Sequence, residues 1–167
     1  DLNGNDWKLS NGSSMPAISA MVPGQVYPAL MQAAILSDPY YGMQPMIDQW
    51  VAKSDWIYTK SFSISQESAL LSYRVIQLVA DGIDSKANIS INNQLVFEND
   101  NMFHRNRANI KSYLQYGTNT ITVYLYNKVE WAMEAHRSCN REQDGQCPVS
   151  SENHHGFWYV NYIRSEP

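Results

Sequence analysis

Strict alternation of apolar and polar residues recurs through the middle of this chain, and that period excludes a helical core. Trp56, Tyr58, Phe62 and Ile64 interleave with Thr59, Ser61 and Ser63, and Lys60 interrupts the apolar face once. Ala87, Ile89 and Ile91 interleave with Asn88, Ser90 and Asn92. Ile121, Val123 and Leu125 do the same with Thr120, Thr122, Tyr124 and Tyr126. A β-strand sends successive side chains to opposite faces, so each run buries one face and leaves the other wet. Strands of this kind are stable only when their dry faces meet across a common core.

Further strands fit around these. Trp7-Lys8-Leu9 and Ile18 to Val22 read as short strands, the second ended by Pro23-Gly24. The apolar-rich run from Leu70 to Val79 predicts a central strand, and Asp81-Gly82-Ile83-Asp84 a turn after it. Asn92-Asn93 can supply the positive φ angles of a tight hairpin, with Leu95-Val96-Phe97 returning. Gly117-Thr118-Asn119 turns into the last alternating run, and Phe157 to Ile163 is a final strand candidate. Val26–Ile35 is the best helix candidate, with Val26, Leu30, Met31 and Ala34 on one face, and Trp131–His136 can form one further helical turn. Asp38-Pro39-Tyr40-Tyr41-Gly42 is a turn or ordered loop. Many strands and one or two short helices predict an all-β sandwich formed by a single domain over residues 1–167.

Composition narrows the function classes. At 167 residues with 44% apolar content the chain can bury a full core. A net charge of −4 gives no basic footprint for nucleic acid or an anionic membrane. No apolar stretch reaches the roughly 18 residues of a membrane span. The five Trp and eleven Tyr suit pleated packing and equally suit stacking on sugar rings. The chain begins at Asp1, as expected of a processed mature terminus or an excised piece.

The search for chemistry returns little. There is no phosphate-binding glycine loop and no Gly-x-Ser-x-Gly nucleophile elbow. His154 and His155 are adjacent, a spacing that does not turn both rings toward one metal ion. Glu130, Glu134 and Asp100 lie near aromatics, yet they read as surface or turn residues. No residue is assigned catalysis, and no cofactor or metal is expected. Cys139 and Cys147 flank a polar stretch and read as a short-loop disulfide in an oxidising compartment, with a pair of free thiols as the alternative. Asn11-Gly12-Ser13 and Asn88-Ile89-Ser90 are glycosylation sequons, so Asn11 and Asn88 are candidate acceptors.

Several segments, in order, resemble the N-terminal domain of glycoside hydrolase family 2, above all its β-mannosidases. They are Met21-Val22-Pro23-Gly24-Gln25-Val26, Ser37-Asp38-Pro39-Tyr40-Tyr41-Gly42, and Gln49-Trp50 with Asp55-Trp56-Ile57-Tyr58. Asp81 to Ala87, Asn99-Asp100-Asn101-Met102-Phe103, and His155-Gly156 with Val160-Asn161-Tyr162-Ile163-Arg164 complete the series. The first two also recur in related exo-β-glucosaminidases; Asp100-Asn101-Met102-Phe103 and Val160 to Arg164 favour the mannosidases.

The resemblance implies a jelly-roll sandwich, galactose-binding-domain-like, packed beside a (β/α)₈ barrel. The barrel carries two Glu residues for retaining hydrolysis of terminal β-linked mannose, and neither is in this chain. The expectation is therefore a non-catalytic N-terminal domain whose partner is the rest of the parent glycosidase and whose carbohydrate substrate is met through the parent. An autonomous carbohydrate-binding module, or the same domain of an exo-β-glucosaminidase, is the alternative. Tyr40, Tyr41 and Trp50 are expected on the surface that the barrel covers. A lysosomal or secreted setting is expected. Animal relatives place the partner of the Cys-Pro cysteine near Trp158; here the pairing is either Cys139–Cys147 or two free thiols.

Overall fold

The computed structural model describes residues 1–12, 14–138 and 162–164. Strands β1 (Gly4–Ser10), β2 (Ile18–Val22) and β3 (Gly24–Gln25) precede helices α1 (Val26–Gln32), α2 (Gln44–Ile47) and α3 (Gln49–Ala52). Then come β4 (Trp56–Ile64), β5 (Gln77–Ala80), β6 (Gly82–Ile83), β7 (Ala87–Ile91), β8 (Gln94–Asn99), β9 (Asn106–Asn109) and β10 (Gly117–Leu125). Helix α4 (Lys128–Ser138) and strand β11 (Tyr162–Arg164) follow. Among the described residues no helix is long and apolar enough to cross a membrane.

One layer is a six-stranded sheet in the order β2-β1-β4-β10-β7-β8, antiparallel throughout. Facing it are a three-stranded sheet, β3-β11-β6, and the pair β5-β9. The dry face of the large sheet is the one the alternation marked: Trp7 and Leu9, Trp56 and Tyr58, Ile121, Val123 and Leu125, Ala87, Ile89 and Ile91 are all buried. Leu78, Ala80 and Ile83 pack across from them. This is the all-β sandwich expected.

Lys60 also faces inward, midway along β4, where its ammonium meets the backbone oxygen of Leu2 at 3.1 Å and Asp6 Oδ1 at 2.7 Å. The interruption in the apolar face thus ties down the N-terminal segment. The bond from Lys60 holds the Asp6 carboxyl below its ordinary 3.8, so the pair is intact at neutral pH and lost only as pH falls below that value.

Turn chemistry behaves as the residues dictate. Asn92 and Asn93 have φ of 51° and 63°, the conformation of a two-residue hairpin. Asn119, fully buried, uses its whole amide: Nδ2 donates to the Gln115 and Gly117 oxygens, and Oδ1 accepts from Asn92 Nδ2 and Gln115 N. Gly24 is required by close approach, since a Cβ there would lie 2.2 Å from the Met21 oxygen.

Four expectations are corrected. Within the Asp81–Asp84 segment expected as a turn, Gly82–Ile83 is extended and forms β6, paired with β11. The Leu70–Val79 run is not a central strand. Ala69–Ser72 is a 3₁₀ turn capped by Ser68 Oγ, and only Gln77–Ala80 is extended, paired with β9. Its apolar residues are largely solvent-facing, Tyr73 61% and Val75 52% exposed, so hydrophobicity there did not signal a core strand. Helix α1 stops at Gln32 because Ala34 turns left-handed and closes the end with Ala34 N to Met31 O and Ile35 N to Leu30 O. Its buried face is Val26, Ala29 and Leu30, while Met31 is exposed. Helix α4 runs 11 residues instead of one turn. Most of the Phe157–Ile163 strand candidate lies outside the described residues; its end is β11.

Two substitutions test this core. Tyr58 is buried, and its hydroxyl has no hydrogen-bond partner among the described residues; burial pushes its pKa up. Tyr58→Phe is expected to raise stability by about 1 kcal/mol, since it removes an unpaired buried hydroxyl. Asn119→Leu strands its turn partners and is expected to cost about 2–3 kcal/mol. Urea denaturation midpoints of the two variants should move in opposite directions.

Candidate functional site

Helix α4 begins where β10 ends, and its start is built from polar bonds. Asn127 Oδ1 accepts from Glu130 N at 3.0 Å, the bond of an N-cap side chain. Asn127 is itself held: its backbone N donates to Asp55 Oδ1 at 2.6 Å and its Nδ2 to the Lys53 oxygen at 2.7 Å. Asp55 Oδ2 accepts from the Tyr124 hydroxyl at 2.6 Å. That bond to Asp55, helped by burial, pushes the Tyr124 phenol up to about 12. The next residue, Lys128, is buried against Asp84, 3.4 Å away, and burial pulls its ammonium below the ordinary lysine value against the attraction of Asp84. Two cross-links therefore fix the first turn of α4 to β4 and to the β6–β7 loop.

These links frame an open cleft of about 430 Å³ at the end of the large sheet. Lys53 and Asp55 precede β4, Lys86 precedes β7, Tyr126 and Asn127 follow β10, and Glu130, Trp131 and Glu134 stand on α4. Val129 and Ala132 form the buried side of the helix, so Trp131 and both glutamates lie off it. Glu130 and Glu134 are exposed, as the sequence suggests, but they share this cleft rather than standing alone. Rising from one helix face, they would approach a ligand from the same side. Glycoside hydrolysis needs its two carboxyl groups on either side of the scissile bond.

The remaining candidates are dispersed. Asn11 is half-buried in a loop, its Oδ1 accepting from Ser14 Oγ. Asn88 sits mid-strand in β7, on the polar face as the alternation predicts, with Nδ2 donating to the Tyr126 hydroxyl at 2.9 Å. A glycan on Asn88 must first displace that bond. Cys139, Cys147, His154 and His155 lie outside the described residues. Asp100 is exposed beside β8. Tyr40 and Tyr41 are 93% and 80% exposed, as expected. Trp50 is instead half-buried against the core, its ring 6.0 Å from Trp56. No metal-holding group of three His, Cys, Asp or Glu side chains occurs among the described residues. The cleft was not legible as a unit. Its one local signal is Asn127 followed three residues later by Glu130, which resembles a capping box and marks the helix start.

Residues 7–166 match the family model described as glycosyl hydrolase 2 galactose-binding domain-like. The chain belongs to this family. The β-mannosidase of Rattus norvegicus is 29% identical over 161 residues, which are 96% of this chain and 18% of the rat protein. That of Capra hircus is 32% identical over 164 residues, 98% of this chain and again 18% of the relative. The crystal structure of the β-D-mannosidase from Dictyoglomus thermophilum superposes with a TM-score of 0.77 at 33% identity, covering 83% of this chain and 17% of that one. The chain thus spans under a fifth of these relatives and corresponds to their N-terminal, galactose-binding-like domain.

The α4 anchor of this family 2 domain can be tested directly. Lys128→Met leaves Asp84 buried without its cation and is expected to cost about 3–5 kcal/mol. Adding Asp84→Asn to Lys128→Met should recover part of that loss. Thermal or denaturant unfolding of the single and double variants measures both.

Proposed function

We propose that this domain is the non-catalytic N-terminal part of a retaining β-mannosidase that hydrolyses terminal β-linked mannose. The observation that carries the reading is the near-complete alignment of this chain to β-mannosidases, 98% of it to the goat enzyme. In this reading catalysis resides elsewhere in the parent, and this domain packs against it. Tyr40, Tyr41, Met43, Met46 and Ile47 crowd the segment around α2 and are all largely exposed. A contiguous apolar surface of that kind fits a contact face, and we assign it to the rest of the parent polypeptide.

The same reading carries a lysosomal or secreted setting, a Cys139–Cys147 disulfide, and glycans at Asn11 and Asn88. Asn11 is the acceptor with the freer geometry, because its amide nitrogen is not committed to a strand neighbour.

The test is enzymatic. The parent protein should release nitrophenol from a p-nitrophenyl β-mannoside, and the 167-residue chain alone should not. Turnover by the isolated chain refutes a non-catalytic role. A parent that cleaves only the corresponding β-glucosaminide refutes the mannosidase assignment.

A further inference from the structure

We infer that the open flank of the sandwich, between β5 and the N-terminal segment, is a binding site for a single unbranched hydrocarbon chain, taken up from solution as a free amphiphile. This goes beyond the mannosidase reading and does not depend on it, because it follows from how the two layers of the sandwich meet.

The first argument is a mismatch of the layers. β4 and β10 are nine residues long, whereas β5 and β9 have four each and β6 has two. The second layer is too short to roof the whole dry face of the first. A chamber of about 70 Å³ remains between them. Val22, Ile89, Ile121 and Val123 of the large sheet line it, with Ala80 and Ile83 opposite. One water needs only roughly 10–15 Å³, and packed cores hold few voids beyond that size.

The second argument is the chemistry of that lining. Only Asn3 and Trp7 bring side chains with a nitrogen or oxygen to it. Asn3 is exposed, at the rim. The Trp7 indole donates to the Leu2 oxygen at 2.8 Å, and Lys60 Nζ donates to the same oxygen at 3.1 Å. A buried water needs two to four polar partners, and the depth of the chamber has no side chain to supply one. Such a space favours hydrocarbon over water.

The third argument is shape. Leu2, Asn3, Leu78 and Val79 line both the chamber and an outer groove of about 500 Å³. They form a common rim, so a ligand can occupy both spaces at once. The groove adds Phe62, Ile76, Ile110 and Leu114, with Ser63 and Gln77 among them. A narrow apolar chamber that opens into a longer, mostly apolar groove fits one extended chain. Its inner end meets only hydrocarbon, and a hydroxyl at its outer end meets Ser63 and Gln77, which donate and accept.

The experiment is an NMR titration of the 167-residue chain, ¹³C-labelled at isoleucine methyls, with the straight-chain alcohols from butanol to octanol. The Ile89 and Ile121 methyls, assigned by Ile89→Val and Ile121→Val, should shift saturably. Affinity should rise about three- to fourfold with each added methylene, as burial of a growing chain requires. Ala80→Leu fills the chamber, and the Ile89 and Ile121 shifts should disappear in it. Should Ala80→Leu misfold, the smaller Ala80→Val is expected to weaken octanol binding at least threefold. Fixed Ile89 and Ile121 methyls with every alcohol overturn the inference. So does an affinity indifferent to chain length, and so do Overhauser contacts from those methyls to water, which would show the chamber to be wet. β-Mannoside hydrolysis by the parent is untouched by any of these results.

Discussion

The pairing of β4 with β10 is the constraint on which everything else rests. Nine consecutive residue pairs join them, from Trp56 opposite Leu125 to Ile64 opposite Gly117. The register is forced by chemistry: a slip of β4 by one residue against β10 would turn Trp56 and Tyr58 out to solvent while Ile121, Val123 and Leu125 stayed in the core. With those two strands fixed, β1 can only add at one side and β7 at the other. Polar side chains finish each end of the ladder. Asn119 closes the turn at the β10 start, and Asp55 clasps Tyr124 and Asn127 where β10 leaves the sheet.

What could be read from the residues alone follows the same logic. β4, β7 and β10 were legible because each has one dry face, and a dry face imposes period two. The Asn92-Asn93 hairpin was legible because few residues tolerate two successive positive φ values. β9 was invisible: Asn106-Arg107-Ala108-Asn109 offers one apolar side chain, and it pairs only with β5. The run before β5 misled for the opposite reason, since it is apolar without being buried. Helix α4 extends beyond the one turn its local pattern shows, because its first residue is a lysine whose burial depends on a carboxylate 44 positions earlier. The cleft could not be seen in advance. Residues 53–55, 86 and 126–134 converge only through the strand register, and no local pattern encodes a register between distant strands.

The two faces of the domain divide its work. The inner face of the large sheet is spent on the core. The outer face and the helices carry what a larger protein would use: the apolar surface around α2 and the polar cleft under α4. A galactose-binding-like sandwich is thus compatible with several roles, and the role is set by what these surfaces meet.

The small sheet has a bearing on the order in which this domain can be completed. β11, residues 162–164, is its middle strand, hydrogen-bonded to β3 on one side and β6 on the other. Without it, two short strands made much earlier have no partner in that sheet. On the ribosome the large sheet can assemble once β10 has emerged, whereas the second layer stays open until residues 162–164 are out. β11 acts as a keystone, and a nascent chain halted before it would carry a half-roofed core as a recognisable target for chaperones.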